Sequence, residues 1–207
     1  MKIVIIGAGT SAISTADILI HDRNFKLVGF VGTEDDEKNY QNINVYNNLP
    51  FLGTTKILND LVKDGVVGFI AAIGKTYIRE KRFYEASIAG LTPINAISKS
   101  AVIEPSAIIG KGITIGSGCI VSHGVSIGNN TSIDSGVIIE IKAKIGENCS
   151  LSSGAIVGGL CSIGRNVSLG ARSTIIHKIN IGKNNIIKSG NVIEKNISGI
   201  IRDEETD

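Results

Sequence analysis

From Ile103 onward the chain places an aliphatic residue at every sixth position: Ile109, Ile115, Val121, Ile127, Ile133, Ile139, Ile145, Leu151, Val157, Ile163, Leu169, Ile175, Ile181, Ile187 and Ile193. These are sixteen successive anchors, all Ile, Leu or Val, with no insertion, and Ile97 extends the series one step back. The third residue after an anchor is Gly or Asn in eleven of the sixteen cases. Both tolerate positive φ, so this is the phase at which the chain turns a corner. The residue two before the anchor is often small, as at Ala107, Cys119, Thr131, Ala143, Cys149, Ala155, Cys161 and Ser173. A hexad therefore predicts a short strand and a corner. Three hexads close a triangular coil of eighteen residues, with successive coils about 4.8 Å apart.

The first half has a different pattern. Lys2–Ile6 is apolar after its lysine and predicts a buried strand, and Gly7-Ala8-Gly9-Thr10-Ser11-Ala12 and an amphipathic stretch from Ile13 to Ile20 follow it. Strands are also predicted at Lys26–Val31 and Val66–Ile73, and helices at Thr55–Lys63 and Tyr77–Ala89. A strand, a glycine turn and a helix in that order suit a Rossmann-like half, whose helix N-terminus can hold a phosphate. The region is too short for two mononucleotide halves, and Val31-Gly32-Thr33 ends the second strand without an acid. One nucleotide, such as the diphosphate end of a nucleotide sugar, fits better than NAD. The predicted organisation is an α/β Rossmann-like domain over residues 1–95, an all-β parallel β-helix of hexapeptide repeats over 96–197 and an acidic tail over 198–207.

Composition narrows the function classes. Hydrophobic residues make up 43% and charged residues 19% of the 207, enough for a real core. Aromatics are only 4%, with no Trp, so small branched residues must fill that core. A net charge of +2 lacks the basic footprint of a nucleic-acid binder. No apolar run approaches the roughly 20 residues that span a bilayer, and the start lacks the features of a signal peptide. The expectation is a cytoplasmic protein with no membrane insertion and no nucleic-acid partner. Cys119, Cys149 and Cys161 share the small inward phase. They read as small core residues, the alternative being a nucleophile or metal set. No metal is expected.

The hexad array resembles the left-handed β-helix acyltransferases, which implies the left hand, a homotrimer, and acetyl-CoA held between neighbouring helices as acyl donor. Gly7-Ala8-Gly9, Leu49-Pro50-Phe51-Leu52-Gly53, Ala72-Ile73-Gly74-Lys75-Thr76-Tyr77-Ile78-Arg79 and Ile97-Ser98-Lys99-Ser100-Ala101 run in that order into the hexads. This order is similar to the bacterial sugar acetyltransferases, among them sialic acid O-acetyltransferases and UDP-4-amino-sugar N-acetyltransferases. The resemblance implies that Gly7, Gly9, Thr10, Ser11, Gly74, Lys75 and Arg79 hold a nucleotide-sugar substrate. Arg79 as a surface helix charge is the alternative. The resemblance also implies that the coils Ser153–Gly159 and Leu169–Ser173 flank the pantetheine arm, with Gly158, Gly159 and Ala171 as backbone contacts. Lys183 and Lys188 face outward in late coils, within reach of CoA phosphates or simply solvated.

The family's corner motif carries a general-base histidine between two acids. The matching hexad here is Ile138-Ile139-Glu140-Ile141-Lys142-Ala143. Glu140 survives as the preceding acid, Ile141 stands at the histidine position and Lys142 replaces the following acid. The family's G-H-G in the first loop is Thr10-Ser11-Ala12, and its C-terminal G-x-P-A-K ending is absent. Stepping by eighteen stacks His123, Ile141, Gly159 and His177 on one corner. His123 is one coil, about 5 Å, from the base position, and His177 lies two coils the other way, about 10 Å. Five turn positions lack Gly or Asn, namely Ser106, Lys142, Leu160, Arg172 and Lys178, and all but Arg172 fall on this edge. The catalytic candidates are therefore His123 and Glu140. An amine that is partly unprotonated needs little activation, so the missing histidine points to transfer of acetyl to an amino group of a nucleotide-linked sugar, in surface glycan biosynthesis. The alternatives are O-acetylation of a sialic acid or related sugar with His123 as base, and a non-catalytic protein that binds a nucleotide sugar. The segment from Thr33 to Asn48, rich in Asn and acids, either closes over substrate or stays in solvent.

Overall fold

The strand β1 (Lys2–Ile6) buries Ile3, Val4, Ile5 and Ile6 completely, on both of its faces. Only a central strand covered by helices on each side buries every residue this way. The computed structural model describes residues 1–33, 36 and 49–199. Beside β1 stand β2 (Lys26–Gly32), β3 (Phe51–Thr54), β4 (Gly68–Ala71) and β5 (Thr92–Pro93), in the order β3-β2-β1-β4-β5. All four pairings are parallel. Alternate side chains go to opposite faces. Ile3, Ile5, Phe30 and Ile70 pack with Ala12, Ala16 and Leu19 of α1 (Thr10–Leu19). Val4, Ile6, Val31 and Phe69 pack with Leu58 and Leu61 of α2 (Leu58–Lys63) and Ala86 of α3 (Thr76–Ile88). The result is a three-layer Rossmann-like unit whose strand order reverses between β1 and β4.

Several boundaries differ from those the sequence predicts. Helix α1 begins at Thr10, three residues before the amphipathic stretch, because Gly9 supplies the extended N-cap residue. A single turn of 3₁₀ helix, Thr55–Ile57, precedes α2. The strand expected at Val66–Ile73 is only β4. Strands β3 and β5 are not predicted at all. The Thr33–Asn48 segment lies almost entirely outside the described residues, as does most of the tail.

The chain divides into two units, Met1–Ala96 and a second beginning at Ile97. In the second, strands of two residues recur every six positions up to Val192–Ile193, and each ends on an aliphatic anchor. Pairing follows the eighteen-residue step, as in Ile120↔Ile138 and Ile138↔Ile156. Three parallel sheets result, which form a left-handed β-helix. Anchors point inward, and Ile115, Val121, Ile133, Ile139, Val157, Leu169 and Ile175 are fully buried. The residue before each anchor points outward.

The corners sit where the Gly/Asn phase places them. Every sixth residue from Gly112 to Gly190 has positive φ, fourteen positions in succession. On one edge these are Gly112, Asn130, Asn148, Asn166 and Asn184, and the four asparagine side-chain amides form a ladder. Asn130 Nδ2 donates to Asn148 Oδ1 (2.8 Å), Asn148 Nδ2 to Asn166 Oδ1 (2.9 Å) and Asn166 Nδ2 to Asn184 Oδ1 (3.1 Å). The stacked coils thus carry a side-chain hydrogen-bond column parallel to their backbone ladders. The three cysteines are free and buried. Each thiol donates to a corner carbonyl in the next coil: Cys119 to Asp134 O (3.0 Å), Cys149 to Gly164 O (3.1 Å) and Cys161 to Ile176 O (2.8 Å). Burial pushes the Cys119 and Cys161 thiols up. They behave as structural donors and are poor nucleophiles.

Candidate active site

In the N-terminal unit the turns after β1 and β4 lie side by side. Gly7 has φ +125°, and a Cβ there would collide with the Ala72 carbonyl oxygen. Only glycine lets the chain pass between the ends of the two strands. Its N–H donates to Val31 O at 2.7 Å, which ties the turn to β2. Gly9 caps α1 and Lys75 caps α3, and neither helix has a side-chain cap. A Cβ on Gly74 would stand 3.8 Å from Ser11 Oγ, so the two turns meet at that point. Gly9, Thr10, Gly74 and Lys75 are exposed. The structure therefore brings together Gly7, Gly9, Thr10, Ser11, Gly74 and Lys75 at the strand-order reversal, with two open helix N-termini and one lysine. That arrangement suits a phosphate-bearing ligand.

Arg79 does not join them as a surface group. It is 1% exposed, and its Nη1 donates to Ile73 O at 3.1 Å. The guanidinium folds back under the turn after β4 and holds the peptide that precedes Gly74. Its inward face follows the spacing of Arg79, Phe83 and Ala86 along α3, a three- and four-residue rhythm that turns toward the core, so the surface-charge alternative does not hold.

In the β-helix, the corners at residues 104–107, 122–125, 140–143, 158–161 and 176–179 form one edge, which carries His123, Glu140, Gly158 and Gly159. Ala171 lies on a different edge, at 170–173. Both edges border the same sheet, the one containing Ile156–Val157 and Thr174–Ile175. That sheet differs from the other two. Its outward residues are Val102, Ile120, Ile138, Ile156, Thr174 and Val192, five of the six apolar, with Val102, Ile120 and Val192 exposed. The corresponding row Ile108, Ser126, Lys144, Ser162 and Asn180 is mostly polar.

The first edge is strained. Lys142 (φ +54°), Leu160 (φ +60°) and Lys178 (φ +64°) all turn left-handed without glycine or asparagine, at roughly 1 kcal/mol or more each. Such outliers gather at functional sites. Ile141 is 48% exposed and Leu160 44% exposed, so apolar surface interrupts the polar rim. His123 is exposed, and its Nδ1 lies 2.7 Å from Ser106 Oγ in the preceding coil. Ser106 Oγ also accepts from Gly124 N–H at 3.0 Å. Ser106 is a partner the sequence reading missed, although it was already an exception to the turn rule on this edge. Glu140 is exposed, with its backbone N–H on Val157 O. Among the described residues no group of three or more His, Cys, Asp or Glu could hold a metal ion. No helix among them is long and apolar enough to cross a membrane.

With this geometry the chain resembles the bacterial sugar acetyltransferases built on hexapeptide repeats. Residues 2–86 match the family model of the PglD N-terminal domain. Among solved structures, a histidine-to-asparagine variant of perosamine N-acetyltransferase from Caulobacter crescentus, in complex with CoA and GDP-perosamine, is 24% identical with TM-score 0.70. The match covers 96% of this chain and 90% of that one. PerB from the same organism, with the same two ligands, is 25% identical with TM-score 0.61 over 96% and 91% of the two chains. The acetyltransferase domain of PglB from Neisseria gonorrhoeae, in complex with acetyl coenzyme A, is 23% identical with TM-score 0.65 over 95% and 92%. At these identities the likeness is one of fold. No curated protein matches the chain in sequence.

Proposed function

We propose that the protein transfers acetyl from acetyl-CoA to the amino group of a nucleotide-linked amino sugar. The observation that carries this reading is the strained edge of the β-helix, where His123, Glu140, Gly158 and Gly159 border an apolar-faced sheet. The open turns of the N-terminal unit supply an anion site of the kind a sugar nucleotide needs. Solved proteins with this fold bind CoA with GDP-perosamine, or acetyl coenzyme A, which supports the same pairing here. Acetyl-CoA is a substrate, and the reaction calls for no metal.

In this account Gly7, Gly9, Thr10, Ser11, Gly74 and Lys75 hold the nucleotide, Arg79 acts through Ile73 to fix their turn, and Gly158, Gly159 and Ala171 border the pantetheine arm. An amine suits an edge whose expected base position is Ile141. It attacks a thioester without first losing a proton to a strong base, and orientation and carbonyl polarisation supply most of the rate. Homotrimer assembly would cover the apolar row Val102, Ile120, Ile138, Ile156 and Val192, which water would otherwise meet.

The reading is tested with acetyl-CoA and GDP-perosamine as probe acceptor, by mass spectrometry of the sugar and release of CoA thiol. A gain of one acetyl group on nitrogen is expected. Acetylation of a sugar hydroxyl in place of the amine would refute the N-acyl assignment.

A further inference from the structure

We infer that His177 is the imidazole that serves the Ile141 corner, reaching it across the notch left by Gly159. The inference rests on the acetyl-transfer reading above and adds a catalytic residue to it.

Gly159 has no backbone reason to be glycine, since its φ lies outside the left-handed region. What it lacks is room. A Cβ there would stand 3.1 Å from Ile141 Cγ2, 3.3 Å from His177 Nδ1 and 3.3 Å from Ile141 O. The His177 ring and the Ile141 side chain therefore approach the same point from the coils on either side, and Gly159 is buried there while its counterparts in the stack, His123, Ile141 and His177, are exposed. Backbone stacking alone puts residues 141 and 177 about 10 Å apart, and both side chains lean into the space over Gly159 that lies between them. The peptides around His177 are fixed: Ile176 O accepts the Cys161 thiol at 2.8 Å, and Lys178 N–H donates to Gly159 O at 2.9 Å. His177 itself is exposed at the rim, as a proton acceptor must be.

His123 is placed differently. Its Nδ1 is engaged by Ser106, in the coil before it, whereas Ile141 is in the coil after it. The two histidines are three coils apart, about 14 Å along the stack, so one reaction centre cannot use both. His177 is one coil from Gly159, which with Gly158 is proposed to border the pantetheine arm, whereas His123 is two coils from it. In the reaction, the amine nitrogen bonds to the acetyl carbon and the C–S bond breaks. The amine proton passes to the neutral His177 imidazole and from there to the departing CoA sulfur, and the imidazole ends as it began.

The chain has three histidines, so their ring signals can be followed one by one in NMR spectra of the full-length protein. Single His→Gln variants assign them. Titration with acetyl-CoA should move the His177 signals, leave those of His21 in place, and move His177 less in Gly159→Ala, where the new methyl displaces the ring. The slow hydrolysis of acetyl-CoA without acceptor, in which water replaces the amine, should fall about 100-fold in His177→Gln at unchanged acetyl-CoA affinity. Normal calorimetric binding with static His177 signals, or unchanged hydrolysis, overturns the assignment. Absence of any calorimetric binding is a separate result: it removes the acetyl-transfer reading itself.

Discussion

The asparagine ladder offers a sharp test of how the β-helix is held together. Asn148 is 2% exposed, has φ +55°, accepts from Asn130 at 2.8 Å and donates to Asn166 at 2.9 Å. Asn148→Ala removes both bonds, at about 1 kcal/mol net each, and places a Cβ residue with no local side-chain bond in the left-handed region, at about 1 kcal/mol more. The expected loss is about 3 kcal/mol, or about 6–12 °C in Tm for a chain of this size. Asn148→Gly keeps the corner free of strain and isolates the ladder, with a loss of about 2 kcal/mol. Urea unfolding followed by circular dichroism, at one fixed protein concentration for all variants, gives both numbers. A loss below about 0.5 kcal/mol for Asn148→Ala would refute the ladder as a stabilising element. An equal loss for Gly and Ala would refute the corner-strain part.

Three further outcomes follow from the same structure. The cysteines should react with Ellman's reagent at well under one thiol per chain when folded and at all three when unfolded; because folding raises the thiol pKa of Cys119 and Cys161, the unfolded chain ionises first, and stability should fall as pH rises past the ordinary thiol value of 9.0, less so in Cys119→Ala. Ile138→Lys puts a charge in the middle of the apolar outward row, and sedimentation should show the proposed trimer dissociate; an unchanged mass would place the interface elsewhere. Lys142→Asn relieves a left-handed lysine and should raise stability by about 0.5–1 kcal/mol in thermal unfolding, with no gain if the corner is not strained.

The repeat was legible because its code is local and redundant: sixteen aliphatic anchors and a Gly/Asn corner phase define strand, corner and coil, and the pairing register follows from the count. Strands β3 and β5 were not legible, because four and two residues are too few to show a period and they carry Gly53 and Pro93. The edge that bears His123 and His177 came from the eighteen-residue step. What the step could not give was the direction of side chains. His177 leans into the space over Gly159 because a glycine with ordinary φ leaves a hole, and Ser106 holds His123 on the far side. Arg79 was ambiguous for a related reason. A guanidinium can be buried when a carbonyl such as that of Ile73 receives it, and neither depth nor partner is written in the spacing.

The central claim is that this chain binds and uses acetyl-CoA, and calorimetric titration of the purified protein with acetyl-CoA tests it most directly. The account predicts saturable binding with a Kd on the order of micromolar and about one site per chain. No heat and no binding at millimolar acetyl-CoA would contradict it, leaving the β-helix as a scaffold and the turns around Gly7 and Gly74 as the site still to be explained.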